Sequence, residues 1–89
     1  MIEVYVIESE KDGTRYTGMA IQAKARLNEH NSGKNRFTKG HLPWRIVYIE
    51  ICSDWLSGRS REKYLKSAAG KRWLTVKLGQ GGNTGSLPD

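Results

Sequence analysis

Apolar positions along this 89-residue chain change rhythm from segment to segment, and each rhythm predicts an element. The opening "IEVYVIES" alternates and is rich in β-branched residues, "KDGT" supplies an Asp-Gly turn, and "RYTGMA" follows as a second extended piece, so the three read as a hairpin. With the turn centred on Asp12 and Gly13, odd residues of the first strand share a face with even residues of the second, which puts Tyr5 and Tyr16 on one side. From Ala20 to His30 the spacing turns helical: Ala20, Ala23 and Leu27 form a narrow stripe, Arg26 and His30 stack beside its edge, and Asn31-Ser32-Gly33 supplies the stop. After a basic loop, "WRIVYIEIC" reads as a long apolar strand central in the sheet. Ser53 or Asp54 caps a helix whose core face is Trp55, Gly58, Glu62, Leu65 and Ala69, and "AAGKRWLTVKL" adds a short final helix. These elements predict an α/β domain of α+β topology over residues 1–78, followed by a Gly-rich, flexible tail over 79–89.

Glu62 stands out within that pattern. A carboxylate at the centre of a packing face is costly unless it meets a cation, hydrogen-bond donors or a metal, so something must face it, a pair with Arg26 being one solution. Gly58, on the same face, suggests close approach of another backbone.

Composition narrows the partners. The formal charge is +6, from 15 Lys+Arg and 9 Asp+Glu, and the excess is concentrated: residues 22–45 hold six basic and one acidic residue, and residues 59–77 hold seven and one. Such segments predict basic flanks converging on one face and a polyanionic partner, nucleic acid ahead of a merely solvated charged surface. Cys52 is the lone cysteine, which excludes an internal disulfide and a Cys-based zinc site and leaves it a core position. No apolar run approaches the roughly 20 residues of a membrane span, and no signal pattern opens the chain, so a cytoplasmic setting is expected.

Four short motifs then fall in order: "VYV" at Val4–Val6, "YTG" at Tyr16–Gly18, "ARLNEHNSGKNRFTKG" from Ala25, and "REKYLKS" at Arg61–Ser67. Together they resemble the small stand-alone members of the GIY-YIG nuclease superfamily, and are similar also to the nuclease domain of the bacterial excinuclease. The resemblance implies a small three-stranded antiparallel sheet flanked by helices. It matches Tyr5 to the tyrosine of the first motif, Tyr16 and Gly18 to the second, Arg26 to the helix arginine, and Glu62 to the metal-binding glutamate. His30 falls where many relatives carry a histidine or tyrosine. Departures are Glu3-Val4 in place of Gly-Ile, Thr17 in place of isoleucine, and Met19 where excinuclease-type members have a lysine.

What the resemblance implies is phosphodiester hydrolysis. Arg26 offers a two-pronged cation to the phosphate, Glu62 holds one Mg²⁺ or Mn²⁺, and Tyr5 and Tyr16 orient the attacking water, one of them as base; His30 accepts a proton or bonds to phosphate. Asn31, Lys34, Arg36 and Lys39 are expected at backbone phosphates or in a solvated loop, His41 is expected to be structural, and Trp44 and Trp73 are packing residues before they are base platforms. The function expected is a metal-dependent endonuclease on DNA, in repair or recombination. Its rivals are a binding module of the same fold with little turnover and a protein-interaction domain.

Overall fold

The computed structural model describes residues 1–79, so the expected tail lies, apart from Gly79, outside the described residues. The alternating N-terminal run forms β1, Ile2–Ser9, which pairs antiparallel with β2, Arg15–Ala20, on one side and with β3, Trp44–Cys52, on the other. The strand order β2-β1-β3 makes β1 central and β3 an edge, which corrects the expected central place of "WRIVYIEIC". An apolar run signals burial on both faces only where both faces are covered; in β3 Ile49 and Ile51 stay exposed, while β1 is sealed by Val4 and Val6 on one side and Tyr5 and Ile7 on the other.

Pairing of Tyr5 with Gly18 and of Ile7 with Tyr16 puts both tyrosines on one face, as expected, although the turn is not the tight one centred on Asp12-Gly13. Ser9 Oγ accepts the N–H groups of Lys11 (3.0 Å) and Asp12 (3.2 Å) and donates to the carbonyl of His41 (2.6 Å), so the turn spreads over more residues, with Gly13 at φ 77°. The register therefore slips by an even step and the faces survive. Asp12 also holds His41 at 2.6 Å, and the His41 ring meets Trp44 edge-on, the structural role expected of it.

Helix α1 is Ala23–Asn31, starting later than Ala20, which still pairs with Glu3 in the sheet. Gln22 at its N-cap gives no side-chain bond; Glu3 does so from β1, accepting the Ala23 N–H at 2.6 Å. The departure at the first motif thus closes a helix end. Helix α2, Trp55–Lys66, is capped by Asp54, whose carboxylate accepts the Ser57 N–H at 2.8 Å. Ser67 ends it and caps α3, Ala68–Lys77, accepting from Gly70 N at 3.1 Å, and a Cβ at Gly70 would overlap the Tyr64 carbonyl. Because of that elbow Ala69 is an exposed residue of α3, and the buried face of α2 is Gly58, Glu62 and Leu65, with Trp55 largely outside it.

Helix α1 covers the face of Tyr5 and Ile7, with Ala23, Leu27 and Trp44; α2 and α3 cover the face of Val4 and Val6, with Cys52, Leu65 and Leu74. Burying each large aliphatic side chain contributes about 1.5–3 kcal/mol. The second face also holds a charged ladder absent from the sequence-based reading: Glu8 bonds Arg15 on β2 at 3.1 Å and Arg45 on β3 at 2.7 Å, its cross-strand neighbours on each side. Helix α1 and the pair α2 and α3 therefore lie on opposite faces of the sheet, so the expected basic flanks meet only at the β2 edge, where Arg26 and Arg59 line one cavity. No helix among the described residues is long and apolar enough to cross a membrane.

Candidate active site

An edge strand can offer both of its faces to one cleft, and β2 does so. A cavity of about 650 Å³ lies there, lined by Tyr5, Tyr16 and Gly18 from the α1 face, Arg26 from α1 itself, and Met19, Trp55, Leu56, Arg59 and Glu62 from the α2 side. The two phenols, the guanidinium and the acid singled out from sequence thus line one cleft.

Tyr5 is 1% exposed, with its hydroxyl 3.1 Å from His30 Nε2. It fits only because its partner across the ladder is Gly18: a Cβ there would sit 2.5 Å from the Tyr5 oxygen. Burial, then the neighbouring Tyr16, pushes the Tyr5 phenol up to about 12, with the Arg26 guanidinium pulling the other way. Tyr5 is consequently a neutral phenol at neutral pH.

His30 is buried, against an expected place at the edge of the helix stripe, because the chain after α1 folds back over it. Its Nδ1 lies 3.0 Å from Thr38 Oγ1, its ring is 5.0 Å from that of Tyr16, and burial followed by the positive charge of Arg26 lowers its pKa. The imidazole is therefore neutral at pH 7. Thr38, fully buried, is a residue that sequence reasoning missed; Trp44 Nε1 donates to its carbonyl at 2.9 Å and Asn35 Oδ1 accepts its N–H at 3.2 Å. A threonine in a basic loop carries no periodicity that would announce this role.

Arg26 keeps about half of its side chain in solvent, with a 3.7 Å contact to Glu29. Such exposed pairs hold weakly, so the guanidinium is available to an anion. Glu62 faces the cleft but pairs with its own helix, to Arg59 Nη1 at 3.2 Å and Lys66 Nζ at 2.9 Å, and not with Arg26. This answers what faces the buried acid: cations at i−3 and i+4. Among the described residues no group of three or more His, Cys, Asp or Glu side chains is placed to hold a metal. Glu62 is the one carboxylate among the residues lining this cavity, so an ion held there would take most of its ligands from water.

Of the four loop residues assigned to phosphate, Asn31 is engaged internally. Its amide donates to the Trp44 carbonyl at 3.0 Å and accepts the Trp44 N–H at 2.7 Å, tying α1 to the start of β3. Lys34, Arg36 and Lys39 are exposed. Trp44 is buried core, and Trp73 packs edge-on against Tyr48 beside Arg61.

The three-stranded antiparallel sheet and its flanking helices define an α+β domain. The model of the GIY-YIG catalytic domain matches residues 1–74, and the chain belongs to the GIY-YIG family. Among curated relatives it is similar to small bacterial UPF0213 proteins. One from Streptococcus agalactiae is 36% identical over 73 residues, 81% of this chain and 82% of the relative. Another, from Syntrophus aciditrophicus, is 42% identical over 66 residues, 71% and 74% of the two chains. A third, from Desulfotalea psychrophila, is 35% identical over 75 residues, 82% and 67%. No solved structure matches the chain.

Proposed function

We propose that this protein is a metal-dependent endonuclease that hydrolyses phosphodiester bonds in DNA, in repair or recombination. The observation that carries the reading is the shared cleft of Tyr5, Tyr16, Arg26 and Glu62. Arg26, half exposed and rigidly based on α1, places a fork of N–H donors against the phosphoryl oxygens and opposes the charge that grows on them. A Mg²⁺ or Mn²⁺ ion held by Glu62 would supply electrophilic help to the departing oxygen.

The neutral Tyr5 phenol cannot act as a preformed base, but it can relay. With the ring proton of His30 on Nδ1, donated to Thr38 Oγ1, Nε2 accepts the Tyr5 hydroxyl. As the water oxygen bonds to phosphorus and the bond from phosphorus to the departing oxygen breaks, the water proton passes to the Tyr5 oxygen while the Tyr5 proton passes to His30 Nε2, leaving neutral tyrosine and an imidazolium, and the departing alkoxide takes its proton from solvent. Tyr16, beside the same imidazole, orients the water.

The binding-module alternative draws on one observation, the engagement of both Glu62 oxygens by cations. A panel of labelled single-stranded, duplex and branched DNAs, incubated with Mg²⁺, Mn²⁺ or EDTA, separates the two. The nuclease reading expects cleavage that EDTA abolishes and that Arg26→Ala and Glu62→Gln each lower by about 10²–10³-fold. Cleavage unchanged in Glu62→Gln rejects the metal role, and binding without cleavage under every condition selects the alternative.

A further inference from the structure

The cleft has a lip that the hydrolytic residues do not explain. Trp55 and Leu56, in the first turn of α2, are 55% and 83% exposed, although both line the cavity that holds Tyr5 and Glu62. Large apolar side chains that lie together in water at the mouth of a cleft mark a contact surface. Trp55, Arg59 and Glu62 are spaced i, i+4 and i+7, so they share one face of α2 and run as a line from lip to carboxylate. Trp55 also borders a second groove, about 380 Å³, together with Ile21 and Arg26. The indole therefore shares its cavities with two guanidinium groups, Arg26 from α1 and Arg59 from its own helix.

That combination of an aromatic plane and flanking cations has a specific complement. We propose that Trp55 and Arg59 form a nucleotide subsite, in which the base next to the reacting phosphate stacks on the Trp55 indole and the neighbouring phosphate pairs with Arg59. The proposal rests on the nuclease reading above and gives it a substrate preference: a base stacked on Trp55 has left its own helix, so an unpaired nucleotide beside the cleaved bond is favoured over continuous duplex. Arg59 can turn toward phosphate, since 65% of its side chain is exposed, while Lys66 remains on the buried carboxylate. Asp54 fixes the first turn of α2, so the indole sits on a rigid element and not on a loop.

Binding is measured by fluorescence anisotropy in EDTA, with a labelled duplex and the same duplex carrying a short unpaired stretch, and cleavage is followed separately in Mg²⁺. The wild type should bind the unpaired substrate more tightly and with quenching of tryptophan emission. Trp55→Ala should lose about tenfold on the unpaired substrate, within the range of one base-aromatic stack, and little on the duplex, with Trp55→Phe keeping most of the affinity. Arg59→Ala should reduce the slope of log affinity against log salt by about one phosphate contact. Thermal unfolding checks that these exposed substitutions leave the fold intact. Equal losses on both substrates, or a folded Trp55→Ala variant with unchanged preference, overturn the subsite. Selective loss without any cleavage by the wild type supports the subsite and removes the hydrolytic reading. Absence of DNA binding by the wild type removes both, and a protein partner on this lip becomes the better account.

Discussion

Replacing Gly18 by alanine tests the geometry of the cleft at its tightest point. The added Cβ would lie 2.5 Å from the Tyr5 hydroxyl oxygen and 2.7 Å from Cζ, about 1 Å inside an ordinary contact. Tyr5 has little room to yield, since its ring is buried with Ile7, Ala23 and Trp44 and its oxygen is held by His30. Overpacking of this kind costs about 1–3 kcal/mol, against which alanine in a strand recovers roughly 0.5–1 kcal/mol relative to glycine, leaving a net loss centred on about 1 kcal/mol. In a domain of this size each kcal/mol lowers Tm by roughly 4–8 °C. A phenol displaced by about 1 Å should also lower any cleavage rate by about 100-fold. The matched control is Gly40→Ala, where an added Cβ meets nothing within 4 Å and stability should hold or rise slightly. Thermal unfolding by circular dichroism, with cleavage assayed in parallel, reads both effects. A Gly18→Ala protein as stable as the wild type would show that Tyr5 does not occupy this position, and the relay would fall with it.

Two further outcomes follow from the residues around the cleft. The pKa of His30 is lower in the folded protein than its ordinary value of 6.5, so the unfolded chain binds more protons as pH falls below 6.5; stability is greatest above that pH and declines below it, and His30→Gln should flatten this part of the curve of unfolding free energy against pH. A variant that keeps the wild-type slope below pH 6.5 would assign it to other groups. Glu3→Ala removes the acceptor of the Ala23 N–H and should cost about 0.5–2 kcal/mol in urea unfolding, whereas Glu3→Gln, which retains an acceptor oxygen, should recover most of the loss.

Local chemistry made much of this protein legible before any coordinates. Alternation in "IEVYVIES" and "RYTGMA" determined the hairpin and the shared face of Tyr5 and Tyr16, which survived a different turn because an even register slip preserves the faces. Ser53-Asp54 announced the start of α2, with Asp54 the cap in the fold, and helical spacing put Glu62 on its inner face. Relations between elements were not legible in this way. Only the tertiary structure made β3 an edge, brought Thr38 from the loop onto His30, gave Glu62 to Arg59 and Lys66, and left Trp55 at the lip of the cleft. The physical reason is one of range. Periodicity reports which side chains share a face of one element, whereas the cleft forms where the edge of the sheet lets helices from its two opposite faces meet, and that meeting depends on contacts between residues far apart in the chain.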